Sequence, residues 1–432
     1  MERKIISELL AWKGRANRQP LLLQGARQVG KTYTLLSFGK DQYKSIAYFN
    51  LEGSKEIPAI FERDLKPERI VRELAALSGT SILPDETLLI FDEIQACERA
   101  LTSLKYFAEQ APEYHIAAAG SLLGVAMDRK EYSFPVGKVD MLRMHPMDFE
   151  EFLWATGQRE IGGLIREAYD GFSPLALHDK AMDLYKTYLF VGGMPRAVQE
   201  YADKEDFDYI TAVHRTLNDS YIADMAKYAT PQETTRIMAA WGSVPGQLAK
   251  ENHKFQYKAI KSGARAGVYE VALDWLAAAG IINKCVRVAH GKTPLASYRE
   301  NEAFKVYMMD TGLLCSKFEI AANLILHTPH SFEGFKGALA ENYVCQALVA
   351  NGITPYYWSS PGKAEVDFVF QDRQGAVLPL EAKSAENVKS KSLRTYRDMY
   401  KPEYSIRVSA KNFGFENGIK SVPLYALFCV EA

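Results

Sequence analysis

The chain has 432 residues, too many for one ordinary domain, so two to four domains are expected. Its 47% hydrophobic and 24% charged residues are the balance of a soluble globular protein, and a formal net charge of -1 excludes a wholesale electrostatic footprint for nucleic acid or membrane while leaving room for local basic patches. Cys97, Cys285, Cys315, Cys345 and Cys429 are scattered and never form CxxC, which speaks against a disulfide framework or a structural zinc site and for a reducing compartment.

The start, MERKIISELLAWKGR, is charged and amphipathic and lacks the apolar core of a signal peptide. No apolar run approaches the length of a membrane span, so a cytosolic protein without membrane partners is expected. Leu21 to Gln24 reads as a short buried strand. It runs into Gly25-Ala26-Arg27-Gln28-Val29-Gly30-Lys31-Thr32, after which an apolar helix begins. This is GxxxxGK[ST] in its required setting, strand before and helix after. Glycines let the backbone wrap a phosphate, and the helix N-terminus offers unpaired amides. Lys31 is suited to the β- and γ-phosphates of ATP, and Thr32 to a magnesium ion.

Thr87 to Phe91 predicts a fully buried parallel strand, with Asp92 and Glu93 at its C-terminal end, where ligands collect in open α/β sheets. Asp92 is expected in the magnesium shell, and Glu93 as the residue that orients or deprotonates the attacking water. YHIAAAGSLLG predicts a third strand ending at Gly120-Ser121, where Ser121 is placed to sense the γ-phosphate or to serve as a polar turn. Helical stretches such as ERIVRELAALSG and ALTSLKYFAEQ separate these strands, which predicts an α/β fold with a parallel sheet covered on both faces.

GARQVGKT, LLIFDEIQ, AAAGSLL and HPMDFEEFL together resemble the AAA-type P-loop ATPases, most nearly a prokaryotic group with an archaeal-ATPase-like N-terminal domain. YLFVGGMPRAV resembles that group's Gly-Gly-x-Pro element in a helical lid, and the resemblance implies that Gly193 and Pro195 approach the adenine. The chain departs from the group at Gly137-Lys138, where Gly-Arg is frequent; lysine keeps the charge but not the planar fork that grips a γ-phosphate twice. Arg143 and Arg196 are the alternatives for a trans-acting finger, and the choice between a homo-oligomer and a monomer stays open.

Residues 1–155 are thus expected to form the ATPase core and 156–232 a helical lid. Residues 233–300 read as helix, turn, helix and strand pair, a winged-helix pattern, with nine basic against four acidic side chains between 250 and 300. That excess suits either a DNA phosphate footprint or a solvated face. Residues 301–324 read as a connecting segment in which Asp310 caps a turn.

Residues 325–432 read as a last α/β domain. FEGFKGALAENYVCQALVANG is an amphipathic helix carrying Glu341; ITPYYWSS, AEVDFVF and AVLPLEAKS are strands carrying Asp367, Glu381 and Lys383; KSKSLRTYRDMY is a basic helix; and VPLYALF is a closing strand. Helix-Glu, strand-Asp and strand-Glu-x-Lys resemble the restriction-endonuclease-like nucleases. The resemblance implies that Glu341, Asp367 and Glu381 hold divalent metal, with Asp367, Glu381 and Lys383 acting on a phosphodiester. The whole chain resembles an AAA-type ATPase joined to a domain of unknown function with such a core. The expectation is an ATP- and Mg2+-dependent ATPase that couples nucleotide state to DNA binding or metal-dependent DNA cleavage. The alternative is an ATP-driven switch whose C-terminal domain only binds nucleic acid or protein.

Overall fold

The structure, a computed structural model, describes residues 1–121, 134–250, 254–326, 333–360, 364–384 and 391–431. The chain divides into two compact units: one comprises Glu2–His145 with Ala278–Gly280, the other the remaining residues.

The first unit is a five-stranded, all-parallel sheet in the order β2-β3-β4-β1-β5, formed by β1 (Leu21–Gln24), β2 (Ser45–Asn50), β3 (Thr87–Asp92), β4 (His115–Gly120) and β5 (Asp140–Arg143). The central strands β3 and β4 are buried at every position, so they read as continuous apolar runs. The sequence reading found these two and β1. It missed the outer strands β2 and β5, whose side chains are only partly covered and so carry no continuous apolar signal. Helices α1 (Ile5–Lys13), α2 (Lys31–Gln42), α3 (Glu56–Arg63), α4 (Pro67–Ser78) and α5 (Glu98–Gln110) complete the unit. Leu22, Phe49, Phe61, Ile70, Leu89, Phe91, Leu104 and Phe107 pack into one core that joins β1, β2 and β3 to α3, α4 and α5.

The second unit opens with α6 (Phe149–Ala155), whose start is fixed by a capping box: Asp148 accepts from the Glu151 amide and Glu151 accepts from the Asp148 amide. Helices α7 (Arg159–Asp170), α8 (His178–Val191), α9 (Pro195–Lys204), α10 (Phe207–Tyr228), α11 (Pro231–Leu248) and α12 (Ala266–Ala278) follow. HPMDFEEFL therefore straddles the boundary: His145 closes the first unit and Pro146–Leu153 belongs to the second.

An eight-stranded mixed sheet in the order β12-β13-β11-β10-β9-β8-β6-β7 dominates the rest of this unit. Its strands are β6 (Ile282–Val288), β7 (Arg299–Met308), β8 (Tyr356–Ser359), β9 (Glu365–Gln371), β10 (Val377–Ala382), β11 (Ser405–Ser409), β12 (Gly414–Glu416) and β13 (Ile419–Pro423). The strand pair expected as a wing is the antiparallel pair β6–β7, and β6 continues the sheet by pairing in parallel with β8. No sheet boundary falls at residue 300. Three short or long helices intervene: α13 (Thr311–Lys317), α14 (Ala322–Leu326) and α15 (Glu333–Ala350). From α15 the chain runs through β8, β9 and β10 as an antiparallel meander. It then crosses over by α16 (Lys391–Tyr400) to β11, which lies parallel to β10. The basic helix thus begins at Lys391; residues 389–390 lie outside the described residues.

VPLYALF is not a closing strand. β13 ends at Pro423, and Leu424–Cys429 form a buried 3-10 helix. A short, fully buried apolar run does not distinguish strand from helix by its periodicity. All five cysteines are buried and unbridged, and among the described residues no helix is long and apolar enough to cross a membrane.

Candidate functional site

The Gly25–Thr32 loop leaves β1 at the C-terminal edge of the first sheet. An added Cβ on Gly25 would lie 2.2 Å from the Met144 carbonyl oxygen, so only glycine passes here. Gln28 and Gly30 have φ of 64° and 99°, and this left-handed path turns the chain into α2. Lys31, the first residue of α2, is buried and its ammonium donates to the Gly25 and Ala26 carbonyls at 2.9 and 2.8 Å. The loop's own oxygens therefore hold the lysine at the mouth of the phosphate cradle.

Sheet register brings the other groups to this edge. Gln24 aligns with Gly120 of β4 and with Arg143 of β5, so buried Ser121 and exposed Arg143 leave the sheet level with the loop. Asp92 ends β3, and its Oδ2 accepts from Thr32 Oγ1 and from the Tyr48 hydroxyl, both at 2.8 Å. Its Oδ1 accepts from the Glu93 amide at 3.0 Å. Burial and the Asp92 hydrogen bond push the Tyr48 phenol up to about 12. Glu93 adopts φ 50° and accepts from the Gln95 amide group, an uncommon left-handed posture for a charged residue at a strand end. Thr32 and Asp92 are adjacent hard-oxygen donors, a set that fits Mg2+.

Tyr48 and Arg3 escaped the sequence reading. Arg3 is buried and donates to the Val29 carbonyl of the loop at 2.8 Å and to the His145 carbonyl at 2.7 Å. An arginine ahead of the first helix carries no local signal of this kind. Lys138 pairs with Glu109 at 3.2 Å.

Pro195 opens α9 in the second unit, and Arg196 follows it as the second residue of that helix. The two glycines before Pro195 answer to their own surroundings. A Cβ on Gly193 would lie 1.9 Å from the Met147 carbonyl oxygen, and one on Gly192 would lie 2.4 Å from Asp310 Oδ1. Asp310 is fully buried, caps α13 through the Leu313 amide and accepts from the Gly193 amide at 2.6 Å. Burial raises its carboxyl to about 6 against the opposing backbone hydrogen bonds.

The second constellation lies in the eight-stranded sheet. Leu380 of β10 pairs with Phe368 of β9; one residue further on, Glu381 stands opposite Asp367, on the same face. Asp367 Oδ2 accepts from the Ala382 amide at 2.9 Å, and Lys383 Nζ lies 3.4 Å from Glu381 and 3.9 Å from Asp367. Burial, then Glu341, raises the Asp367 carboxyl, while Lys305 and Lys383 pull it down. Burial opposes the charge on Lys383, but Asp367 and Glu381 outweigh it and raise the ammonium. Glu341 of α15 joins through Tyr307, whose hydroxyl donates to it at 3.0 Å, and through Lys305 at 3.7 Å.

Lys305 is the residue the sequence reading missed. It is 1% exposed and pairs with Glu365 at 2.8 Å as well as with Glu341. Burial alone would lower its ammonium, yet Glu341, Asp367 and Glu365 together hold it above the usual lysine range. The signal was present: a lysine in the middle of the apolar strand FKVYMM has to meet acid somewhere. Glu381 Oε2 is buried without a hydrogen-bond partner, which suits a hard cation. Among the described residues, however, no three His, Cys, Asp or Glu side chains are gathered closely enough to hold a metal ion. As the carboxylates stand, Lys305 and Lys383 supply the positive charge that the expected metal would.

Three of the nine basic side chains between 250 and 300 are drawn into ion pairs: Lys254 with Glu365, Lys284 with Asp274 and Arg287 with Glu300.

Comparison with known proteins agrees with the first of these two sites. Residues 17–153 match a family described as an AAA domain, 182–323 a domain of unknown function (DUF8612) and 336–427 another domain of unknown function (DUF4143). No curated protein matches the chain. Among solved structures, the chain is similar to a Walker-type ATPase of Pyrococcus abyssi (15% identity over 73% of this chain and 95% of that one, TM-score 0.47). It is also similar to the ORC2 protein of Aeropyrum pernix (12%, 78% and 94%, TM-score 0.33) and to the Thermotoga maritima RuvB Holliday junction branch migration motor (14%, 74% and 96%, TM-score 0.31). Residues 17–153, which carry the Gly25–Thr32 loop and the Thr32–Asp92 contact, are thus the part of the chain that matches an AAA domain, in keeping with an AAA-type ATPase.

Proposed function

We propose that this protein hydrolyses ATP at the Gly25–Thr32 loop and uses the nucleotide state to govern a DNA-acting C-terminal site. The observation that carries the first half is the hydrogen bond from Thr32 to Asp92, which supports a shared Mg2+ site between loop and strand end. The ion, when bound, neutralises charge on the β- and γ-phosphates. Lys31 exchanges the Gly25 and Ala26 carbonyls for phosphate oxygens, which the same ammonium binds more strongly because they are charged. Glu93 orients the attacking water and accepts its proton, and Ser121, level with the loop, senses the γ-phosphate. A purified-protein ATPase assay tests it: Lys31→Ala and Glu93→Gln are each expected to abolish turnover, and wild-type turnover in Lys31→Ala removes the loop assignment.

The contacts of Lys383 with Asp367 and Glu381, with Glu341 near enough to raise the Asp367 carboxyl, support a nuclease-like C-terminal site; Asp367, Glu381 and Glu341 are the residues that would have to draw together for a divalent cation to be held there. Lys383 then stabilises charge on the scissile phosphate. Magnesium- or manganese-dependent nicking that Asp367→Ala and Lys383→Ala eliminate is the expected outcome; cleavage that persists in both variants refutes it. A second reading, a C-terminal domain that binds without cutting, is favoured by the loose spacing of the three carboxylates. DNA binding with no product under any divalent metal selects it.

A further inference from the structure

The carboxylates of the eight-stranded sheet stand beside a concavity that the reading above leaves unused. It measures about 1070 Å³ and is walled by α16, β11 and β13. Six cations line it: Lys391, Arg394, Arg397, Lys401, Arg407 and Lys411. Asp398 and Glu416 are its acidic residues, six charges against two. In a chain whose net charge is -1, that is a strong local concentration.

Two of the cations are fixed, Arg394 pairs loosely with Asp398 at 4.0 Å, and the three lysines are free to adapt. Arg397 donates to the Asn417 carbonyl at 2.6 Å, and Arg407 is held within β11 with its Nε buried and unpartnered. Lys391, Arg394, Lys401 and Lys411 are exposed. Sheet register links the concavity to the carboxylates. Glu381 of β10 pairs with Arg407 of β11, and Arg407 pairs with Ser421 of β13. Residues paired in this way project to one face. The line Asp367, Glu381, Arg407, Ser421 therefore crosses four strands on that face, and Arg407 stands on the strand next to Glu381, with a backbone spacing of about 4.8 Å between neighbouring strands. Such a row of mobile cations ending in fixed guanidinium groups is built for repeated monoanions at regular spacing, which is the chemistry of a nucleic-acid backbone.

We infer that this groove binds the phosphodiester backbone of nucleic acid and leads it across Arg407 to Glu381. The inference rests on the nucleic-acid reading of the C-terminal site and names the surface that serves it. It does not use the basic residues of 250–300.

The test is fluorescence-anisotropy binding of labelled duplex and single-stranded oligonucleotides to the full chain over a salt series. Three proteins are compared: the wild type, the groove variant Arg394→Ala/Lys401→Ala/Lys411→Ala, and a control variant Lys258→Ala/Lys261→Ala/Arg265→Ala. All six positions are exposed, and none belongs to the nucleotide site. The groove variant is expected to weaken binding of the preferred form at least about tenfold and to flatten the slope of log K against log salt by about 2 to 3. The control variant should bind within about twofold of wild type, and ATP turnover should be unchanged in both. Loss that follows the control variant instead overturns the groove and leaves nucleic-acid binding standing. Absence of binding by the wild type to either oligonucleotide overturns both. Equal affinity for inorganic polyphosphate of matched charge also overturns the inference, because the groove would then recognise charge alone.

Discussion

Lys305→Met is the sharpest test of the buried ionic cluster. The substitution keeps much of the side chain's volume and removes one ammonium. At an effective dielectric constant near 20, contacts at the 2.8 and 3.7 Å seen to Glu365 and Glu341 correspond to a gross attraction of roughly 10 kcal/mol. Desolvation of the buried charge cancels a large part of that, and the net cost of stripping one partner from a buried ion pair is about 3–5 kcal/mol. The variant should lose that much at pH 8, read from urea unfolding of the second unit. It should recover part of the loss at pH 5.5, where the stranded carboxyls, Asp367 first because burial and Glu341 already raise it, take up protons. Adding Glu341→Gln should return about 1–3 kcal/mol at pH 8, since it removes one of the charges left unpaired. A loss below about 1 kcal/mol at pH 8, or an equal loss at both pH values, refutes the view that Lys305 compensates these carboxylates.

Other outcomes follow from single contacts. Gly193→Ala drives a Cβ to 1.9 Å from the Met147 carbonyl and should destabilise the second unit by more than about 2 kcal/mol in urea unfolding, whereas Gly163→Ala in α7, with nothing within 4 Å, should be neutral or slightly stabilising. His214 is buried, donates Nε2–H to the Val191 carbonyl at 2.9 Å and is pushed down to about 4 by that burial. The unfolded chain thus binds the proton more readily. The stability this group contributes is present above pH 6.5 and lost as pH falls toward 4, a change of about 3 kcal/mol that His214→Gln should flatten in melts between pH 7 and pH 4. Tyr48→Phe removes one of the two hydroxyls on Asp92 Oδ2 and should cost about 0.5–1.5 kcal/mol, measured as a less than about tenfold fall in ATP turnover.

The phosphate loop was legible because its chemistry is local: Gly25, Gly30, Lys31 and Thr32 lie on one turn, and the strand before and helix after confirm the setting. Asp92 was legible because an acid ending a buried strand contrasts with its neighbours. Tyr48 was not, since its strand is half-exposed and its contact spans 44 residues of sequence. The C-terminal constellation was legible in its period-two strand pattern, which put Glu381 and Lys383 on one side and set Asp367 against them. Lys305 escaped because it arrives from β7, three strands away in the sheet order, with no sequence proximity to any partner. The closing 3-10 helix was misread as strand because every residue from Leu424 to Cys429 is buried, which erases both periodicities at once.

The sheet has a further consequence for how this region can be handled and inherited. β6 and β7 fall within the match at 182–323, and β8 to β13 within or beside the match at 336–427, yet all eight strands share one hydrogen-bonded ladder. A fragment beginning at residue 325 would strip β8 of its neighbour and bare a raw edge that invites chain-to-chain pairing. The two sequence families are therefore halves of one folding unit, and neither is portable without the other.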